Sequence, residues 1–379
     1  MTATPGRPRR SLLALAATLA LATGACRTSA PATAKPSVVA ADERTAPPLP
    51  MVWPELLAPG ATIMFVAPAG ALDRERMERA KERLGELGYR VVARDDLYSE
   101  EGFLAGDDER RAAELMQAFL DPEVDAILSG TGGYGTMRIL ARLDYEAIRA
   151  HPKIFIGFSD ITGLHAALVR RAGIVTFHAP MPAYLFGGEE PPAAFALDGF
   201  FRALGRPAAG ESCDFTVTIP PEAPQPASWG HGKARGRLVG GNLSLVAALE
   251  GTPYAFRTDG AILLLEDLRE APYRVDRMLR QLELAGRLDH LAGVVLGQFT
   301  REFDREDAPR DPDPRYTTNG VLEQYFAERG IPVLWNFPVG HHPMNATLPE
   351  GGVVEIDADR KTLTVLRSAD GACVSPPGG

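Results

Sequence analysis

Ala61-Thr62-Ile63-Met64-Phe65-Val66-Ala67 is an almost continuous apolar run, broken by Pro68-Ala69-Gly70. A strand with no polar face is what a parallel sheet covered on both sides requires. Working outward, residues 73–87 form a charged, amphipathic stretch that predicts a helix closed by Gly88. Tyr89-Arg90-Val91-Val92 reads as the next strand. Residues 107–120 read as a helix, 125–129 as a strand, 145–150 as a short helix, 153–158 as a strand and 159–172 as a helix. Strands alternating with helices in this way predict an α/β architecture, an open parallel sheet with helices on both faces. Ligands of such sheets bind beyond the C-terminal ends of the strands.

Two turns fall at those ends. Gly130-Thr131-Gly132-Gly133-Tyr134-Gly135-Thr136 holds four glycines in six residues. That is entropically costly unless positive φ or close backbone approach is needed. Its spacing is not that of a dinucleotide fingerprint, and no acidic residue ends the following strand. It fits a tight turn, or a loop whose N–H groups face a developing anion. Gly157-Phe158-Ser159-Asp160 is a strand-to-helix turn with a serine at its apex. There a serine can cap the helix, or present its hydroxyl beside free N–H groups that stabilise an oxyanion. Ile161 stands where the hydrolase elbow G-x-S-x-G has its second glycine, which disfavours that superfamily.

With 379 residues, 45% of them hydrophobic, the chain is long enough for two cores. A net charge of −9 and the lack of a Lys/Arg run argue against a nucleic-acid partner. Cys26, Cys213 and Cys373 make neither a disulfide framework nor a metal cluster, although Cys213 and Cys373 could pair after export. No zinc-spaced His/Glu set occurs, and the chemistry considered below calls for no metal or cofactor. Arg7, Arg9 and Arg10 precede a Leu/Ala run from Ser11 to Thr23 that is too short for a membrane span. It ends at Thr23-Gly24-Ala25-Cys26, which resembles the lipobox of bacterial lipoproteins. We therefore expect a signal peptide over 1–26, lipidation of Cys26 and a membrane-anchored protein on the periplasmic side of the envelope. Residues 27–54, rich in Ala, Pro, Thr and Ser, read as a disordered tether.

Six segments carry a resemblance. Phe103-Leu104-Ala105-Gly106-Asp107-Asp108 with Arg110-Arg111, the Gly132-Gly133-Tyr134-Gly135 loop with Arg138, and Gly157-Phe158-Ser159-Asp160-Ile161-Thr162 make up the first part. Gly236-Arg237-Leu238-Val239-Gly240-Gly241-Asn242, Leu264-Leu265-Glu266-Asp267 with 271–279, and Phe337-Pro338-Val339-Gly340-His341 with Asn345 continue it. In this order they resemble the LD-carboxypeptidases of cell-wall recycling, a family that includes the microcin C immunity peptidases. The resemblance implies a flavodoxin-like N-terminal domain over 55–190 carrying the nucleophile. It also implies a smaller, β-rich C-terminal domain over 215–379 carrying the acid and base, with the site between them.

It further implies Ser159, Glu266 and His341 as catalytic residues. A serine needs a base, and a histidine held by a carboxylate suits that task. Glu270 and His342 are rivals for the acid and base. Asp160 and Gly133 are expected at an oxyanion hole, with Arg138, Tyr134 and His178 lining the substrate site. Arg138 or Arg274 would fork a terminal carboxylate, or else form a structural ion pair. The implied substrate is a muropeptide, a peptidoglycan fragment whose tetrapeptide stem loses its terminal D-alanine. A homodimer is compatible with the resemblance. The alternatives are a non-catalytic muropeptide sensor, a peptidase of peptide-nucleotides and a general esterase. Residues 301–316, rich in Asp, Pro and Arg, read as an inserted loop near the site.

Overall fold

Every residue of strand β1 (Thr62–Val66) is buried. Met64 and Val66 enter the core on one side of the sheet, while Ile63 and Phe65 enter the core on the other. That division is why the run carries no polar face. The computed structural model describes residues 48–205, 212–300 and 313–371. The expected signal peptide with Cys26, most of the expected 27–54 tether, Cys373 and most of the 301–316 segment lie outside the described residues.

Strands β2 (Arg90–Val92), β3 (Ala126–Ser129), β4 (Ile154–Gly157) and β5 (Thr176–His178) extend the sheet in the order β2-β1-β3-β4-β5. All four junctions are parallel. This is the flavodoxin-like order, whose switch point lies between β1 and β3. The helix Arg74–Glu86 starts at Asp73, whose carboxylate accepts the Arg76 N–H, and buries Met77, Ala80 and Leu84 against the sheet. Asp107 caps the helix Asp108–Leu120 in the same way.

The C-terminal half builds an eight-stranded sheet from β6 (Phe215–Thr216), β7 (Ala227–Trp229), β8 (Lys233–Asn242), β9 (Ile262–Leu268), β10 (Gly293–Thr300) and β11 (Val333–Trp335), with β13 (Val353–Asp357) and β14 (Thr362–Val365). Its order is β6-β14-β13-β8-β9-β10-β11-β7, with the central β8 to β11 parallel. One strand crosses over. β12 (Leu348–Glu350) pairs antiparallel with β5, Leu348 opposite His178 and Glu350 opposite Thr176. It covers what would otherwise be an open edge of the first sheet. Phe158, Ile161 and Leu164 share one apolar core with Val239, Leu243 and Leu265, so the two sheets meet beside the Ser159 turn.

Glu350 on β12 is wholly buried, and neither of its carboxyl oxygens makes a hydrogen bond. Burial pushes its carboxyl up to about 8, against a partial pull from the nearby Gly240 N–H. Between its ordinary value of 4.5 and 8, the folded chain holds a proton that the unfolded chain has released, so rising pH costs stability over that window. Glu350→Gln mimics the protonated acid. It should raise the melting temperature at about pH 8 and flatten the pH dependence below it. Thermal melts across that range are the check, and a lower melting temperature at the alkaline end would contradict it.

Candidate active site

Ser159 follows β4 directly and has φ of 65°, in the left-handed region. For a residue with a Cβ this costs roughly 1–3 kcal/mol and persists only where the surroundings over-determine it. Here they do. The Gly157 carbonyl accepts from Ala179 N at 3.1 Å and from His165 Nε2 at 2.9 Å. His165 is fully buried, its Nδ1 lies 2.8 Å from Thr176 Oγ1, and burial pushes it down to about 4, so it stays neutral. On the other side Thr136 donates its N–H to the Asp160 carboxylate at 2.9 Å and its hydroxyl to the Asp160 carbonyl at 2.7 Å. The Ser159 hydroxyl is directed at the imidazole of the facing loop. Its Oγ lies 3.0 Å from His341 Nε2.

His341 comes from the loop after β11. Gly340 before it has φ of 105°, and a Cβ there would lie 2.5 Å from Glu266 Oε2. Only glycine lets this loop lay the imidazole against the carboxylate. His341 Nδ1 is 2.7 Å from Glu266 Oε2, on β9. Glu266 is wholly buried and its other oxygen has no partner. A hydroxyl, an imidazole and a carboxylate in this sequence can move a proton off the serine, with the carboxylate fixing the tautomer that leaves Nε2 free to accept. Glu270 lies 3.6 Å from Arg274, and His342 Nδ1 accepts from Met344 N, so neither rival joins the chain. Arg274 thus has an ion-pair partner. Asp267, beside Glu266, is pushed up to about 6 by burial and then by the Glu266 charge.

The glycine loop completes the surroundings of Ser159. A Cβ on Gly132 would lie 3.0 Å from Ser159 Cβ, 3.2 Å from its Oγ and 3.3 Å from Asp160 N. The bare glycine therefore leaves open the space beside the hydroxyl and the Asp160 amide. A Cβ on Gly133 would instead meet Gly70, 3.5 Å from its Cα. The Gly132 carbonyl accepts from Gly70 N at 3.0 Å. In a trans peptide the Gly133 N–H must then point the opposite way, away from the β1 turn. Arg111 ties the turn to the loop, donating to Pro68 O at 2.7 Å and Gly135 O at 2.9 Å while fully buried. Neither Arg111 nor Thr136 stood out in the sequence as a support of the site, because only the folded loops bring them there.

One expectation for the substrate site needs correction, and one open alternative is decided. His178 is wholly buried on β5, its ring 5.8 Å from that of Phe158, and it offers no surface to a ligand. Burial, reinforced by His165 and His341, pushes it well down, so it is a neutral member of the wall. Arg138 forks Asp108, at 2.7 and 3.1 Å, the ion pair that was the alternative to holding a terminal carboxylate. Tyr134 is half exposed and packs edge-on to the exposed Phe103. A cleft of about 840 Å³ opens beside His341, with Phe158, Tyr184, Leu268, His342 and Asn345 among its walls.

Residues 63–179 match the model of the LD-carboxypeptidase N-terminal domain, and residues 235–356 that of its C-terminal domain. A probable murein peptide carboxypeptidase of Bacillus subtilis is 36% identical, across 82% of this chain and 93% of its own. The microcin C7 self-immunity protein of Escherichia coli is 30% identical, across 82% and 94%. The solved muramoyltetrapeptide carboxypeptidase of Oxalobacter formigenes is 30% identical and covers 80% of this chain and 98% of its own, with a TM-score of 0.67.

Proposed function

The chain belongs to the LD-carboxypeptidase family, and from that premise we propose that it is a serine-type enzyme releasing terminal D-alanine from muropeptide tetrapeptide stems. The observation that carries this is the hydrogen-bonded chain Ser159–His341–Glu266, at 3.0 and 2.7 Å, drawn from two different sheets. Ser159 Oγ attacks the carbonyl carbon before D-alanine while His341 Nε2 takes its proton. The oxyanion occupies the space that Gly132 leaves open, facing the N–H groups of Asp160 and Gly133. Collapse of that intermediate breaks the C–N bond, and His341 gives the proton to the departing amine. Water then enters by the same route, losing its proton to His341, and frees the tripeptide acid and Ser159.

Relatives named for murein peptide and muramoyltetrapeptide substrates support the muropeptide assignment. The exposed Tyr184 lines the cleft and offers an apolar face to a stem. Likeness to the immunity protein makes a peptide-nucleotide the second substrate to assay. The test is purified protein with disaccharide tetrapeptide, followed by mass spectrometry. Release of D-alanine is expected, and intact tetrapeptide after prolonged incubation would leave a binding protein.

We further propose an envelope location, with the enzyme anchored through lipidated Cys26. Cys213 is disulfide-bonded, as suits an oxidising compartment. Cys26→Ser should move the protein from the membrane pellet to the soluble fraction. Retention in the pellet would contradict lipid anchoring.

A further inference from the structure

The site is assembled across a seam. Ser159 leaves β4 of the first sheet, whereas Glu266 and His341 belong to the second. The shared apolar core holds the halves together, but apolar burial is non-directional and does not by itself set a hydrogen-bond distance. Directional contacts must do that, and one lies a single helical turn from the serine. Thr162 Oγ1 accepts the backbone N–H of Asn242, at the end of β8, at 3.0 Å. The approach is possible because Gly241 has no side chain: a Cβ there would sit 2.6 Å from Thr162 Oγ1.

The contact continues to the carboxylate of the chain. Asn242 stands in register with Glu266 across β8 and β9. Its Nδ2 donates to Asp267 Oδ1 at 2.9 Å, and Asp267 also accepts from Ser244 N, Ser244 Oγ and Leu268 N at 2.9, 2.8 and 2.7 Å. Asp267 therefore pins the end of β8 beside Glu266. Thr162, Asn242 and Asp267 are all at most 5% exposed, so water does not compete for these bonds.

Given the reading of Ser159 as nucleophile, on which the inference rests, we infer that Thr162 is a positioning residue. Its hydroxyl, anchored on the Asn242 amide and through it on Asp267, sets the separation of Ser159 Oγ from His341 Nε2. It touches no reacting atom and acts through the placement of Ser159. An error of about 1 Å in that placement is enough to cost on the order of a hundredfold in rate.

The test compares Thr162→Val, which removes the acceptor at constant shape, with Thr162→Ser, which keeps it. D-alanine release by the valine variant should show kcat lowered by about ten- to a hundredfold, with KM within about threefold of wild type. The serine variant should stay within about threefold in both. Labelling by a fluorophosphonate probe reads the same alignment without the peptide. Ser159 Oγ bonds to phosphorus, fluoride leaves with its electron pair, and the serine proton passes to His341 and on to solvent. Labelling should slow in parallel with kcat. Wild-type kcat and labelling in the valine variant, or an equal loss in the serine variant, would overturn the role of the hydroxyl. If valine at this position prevents folding, Thr162→Ala carries the same expectations. If the wild type neither releases D-alanine nor takes the probe, it is the reading of Ser159 that falls. The crystal structure of the valine variant then decides the positioning. An Oγ–Nε2 separation beyond about 3.5 Å upholds it, and an unchanged hydrogen bond sinks it.

Discussion

Ser159→Ala should lower D-alanine release by about four to six orders of magnitude and leave the fold intact, because in the proposed mechanism loss of the Ser159 hydroxyl removes the covalent route altogether. The hydroxyl bonds to His341, a partner within the site, so little structural hydrogen bonding goes with it. The backbone supplies a second, opposite readout. With φ of 65° at position 159, alanine keeps the strain that serine carries, whereas glycine relieves it. Ser159→Gly should be as inactive as the alanine variant and more stable than it by about 1 kcal/mol. Activity and stability then move in different directions at one residue, as expected of a turn held strained to present a side chain. D-alanine release and thermal melts on wild type and both variants test this together. Undiminished release from the alanine variant would remove Ser159 from the mechanism. A glycine variant less stable than the alanine variant would remove the strain.

The parallel sheet was legible because its signal is local. Residues 63–67 and 154–158 are apolar without alternation, and only strands covered on both faces tolerate that. The crossing of β12 onto β5 was not legible, since Leu348-Pro349-Glu350 is too short to carry a periodicity and its partner lies far away in the sequence. The site divides along the same line. Ser159 was visible at its strand end, yet nothing local separates a helix cap from an activated hydroxyl; the distance to His341 does. His178 was misplaced, and the two roles left open for Arg138 were not separable, because a strand-end histidine and a surface arginine are typed by their neighbours. One is closed over by the sheet and the other taken by Asp108. Thr162 carried no signal of its own, because its role exists only where Gly241 lets β8 approach.

Glu266→Gln should lower kcat by about two to four orders of magnitude, less than loss of the serine, because the nucleophile and base remain and only their arrangement suffers. Glutamine keeps the volume but presents either a neutral oxygen or an NH₂ to His341 Nδ1, now 2.7 Å from a carboxylate. The oxygen gives no ionic support to an imidazolium. The NH₂ favours the tautomer that protonates Nε2, which then cannot accept from Ser159. Stability should change little, since the wild-type carboxylate is buried with one oxygen unpartnered and a neutral amide is cheaper to bury. The effect should also reach Asp267, whose carboxyl is raised to about 6 in part by the neighbouring Glu266 charge. Removing that charge should bring its titration down toward the ordinary carboxylate range, readable by carboxyl NMR. Glu270→Gln is the control: Glu270 faces Arg274 rather than the imidazole, so its variant should keep release within about threefold of wild type. A Glu270 variant as impaired as the Glu266 variant would mean that the working enzyme takes its acid from the other register. A Glu266 variant at wild-type rate would mean that His341 finds its tautomer without a carboxylate. Either result would break the chain at its buried end while leaving the serine in place.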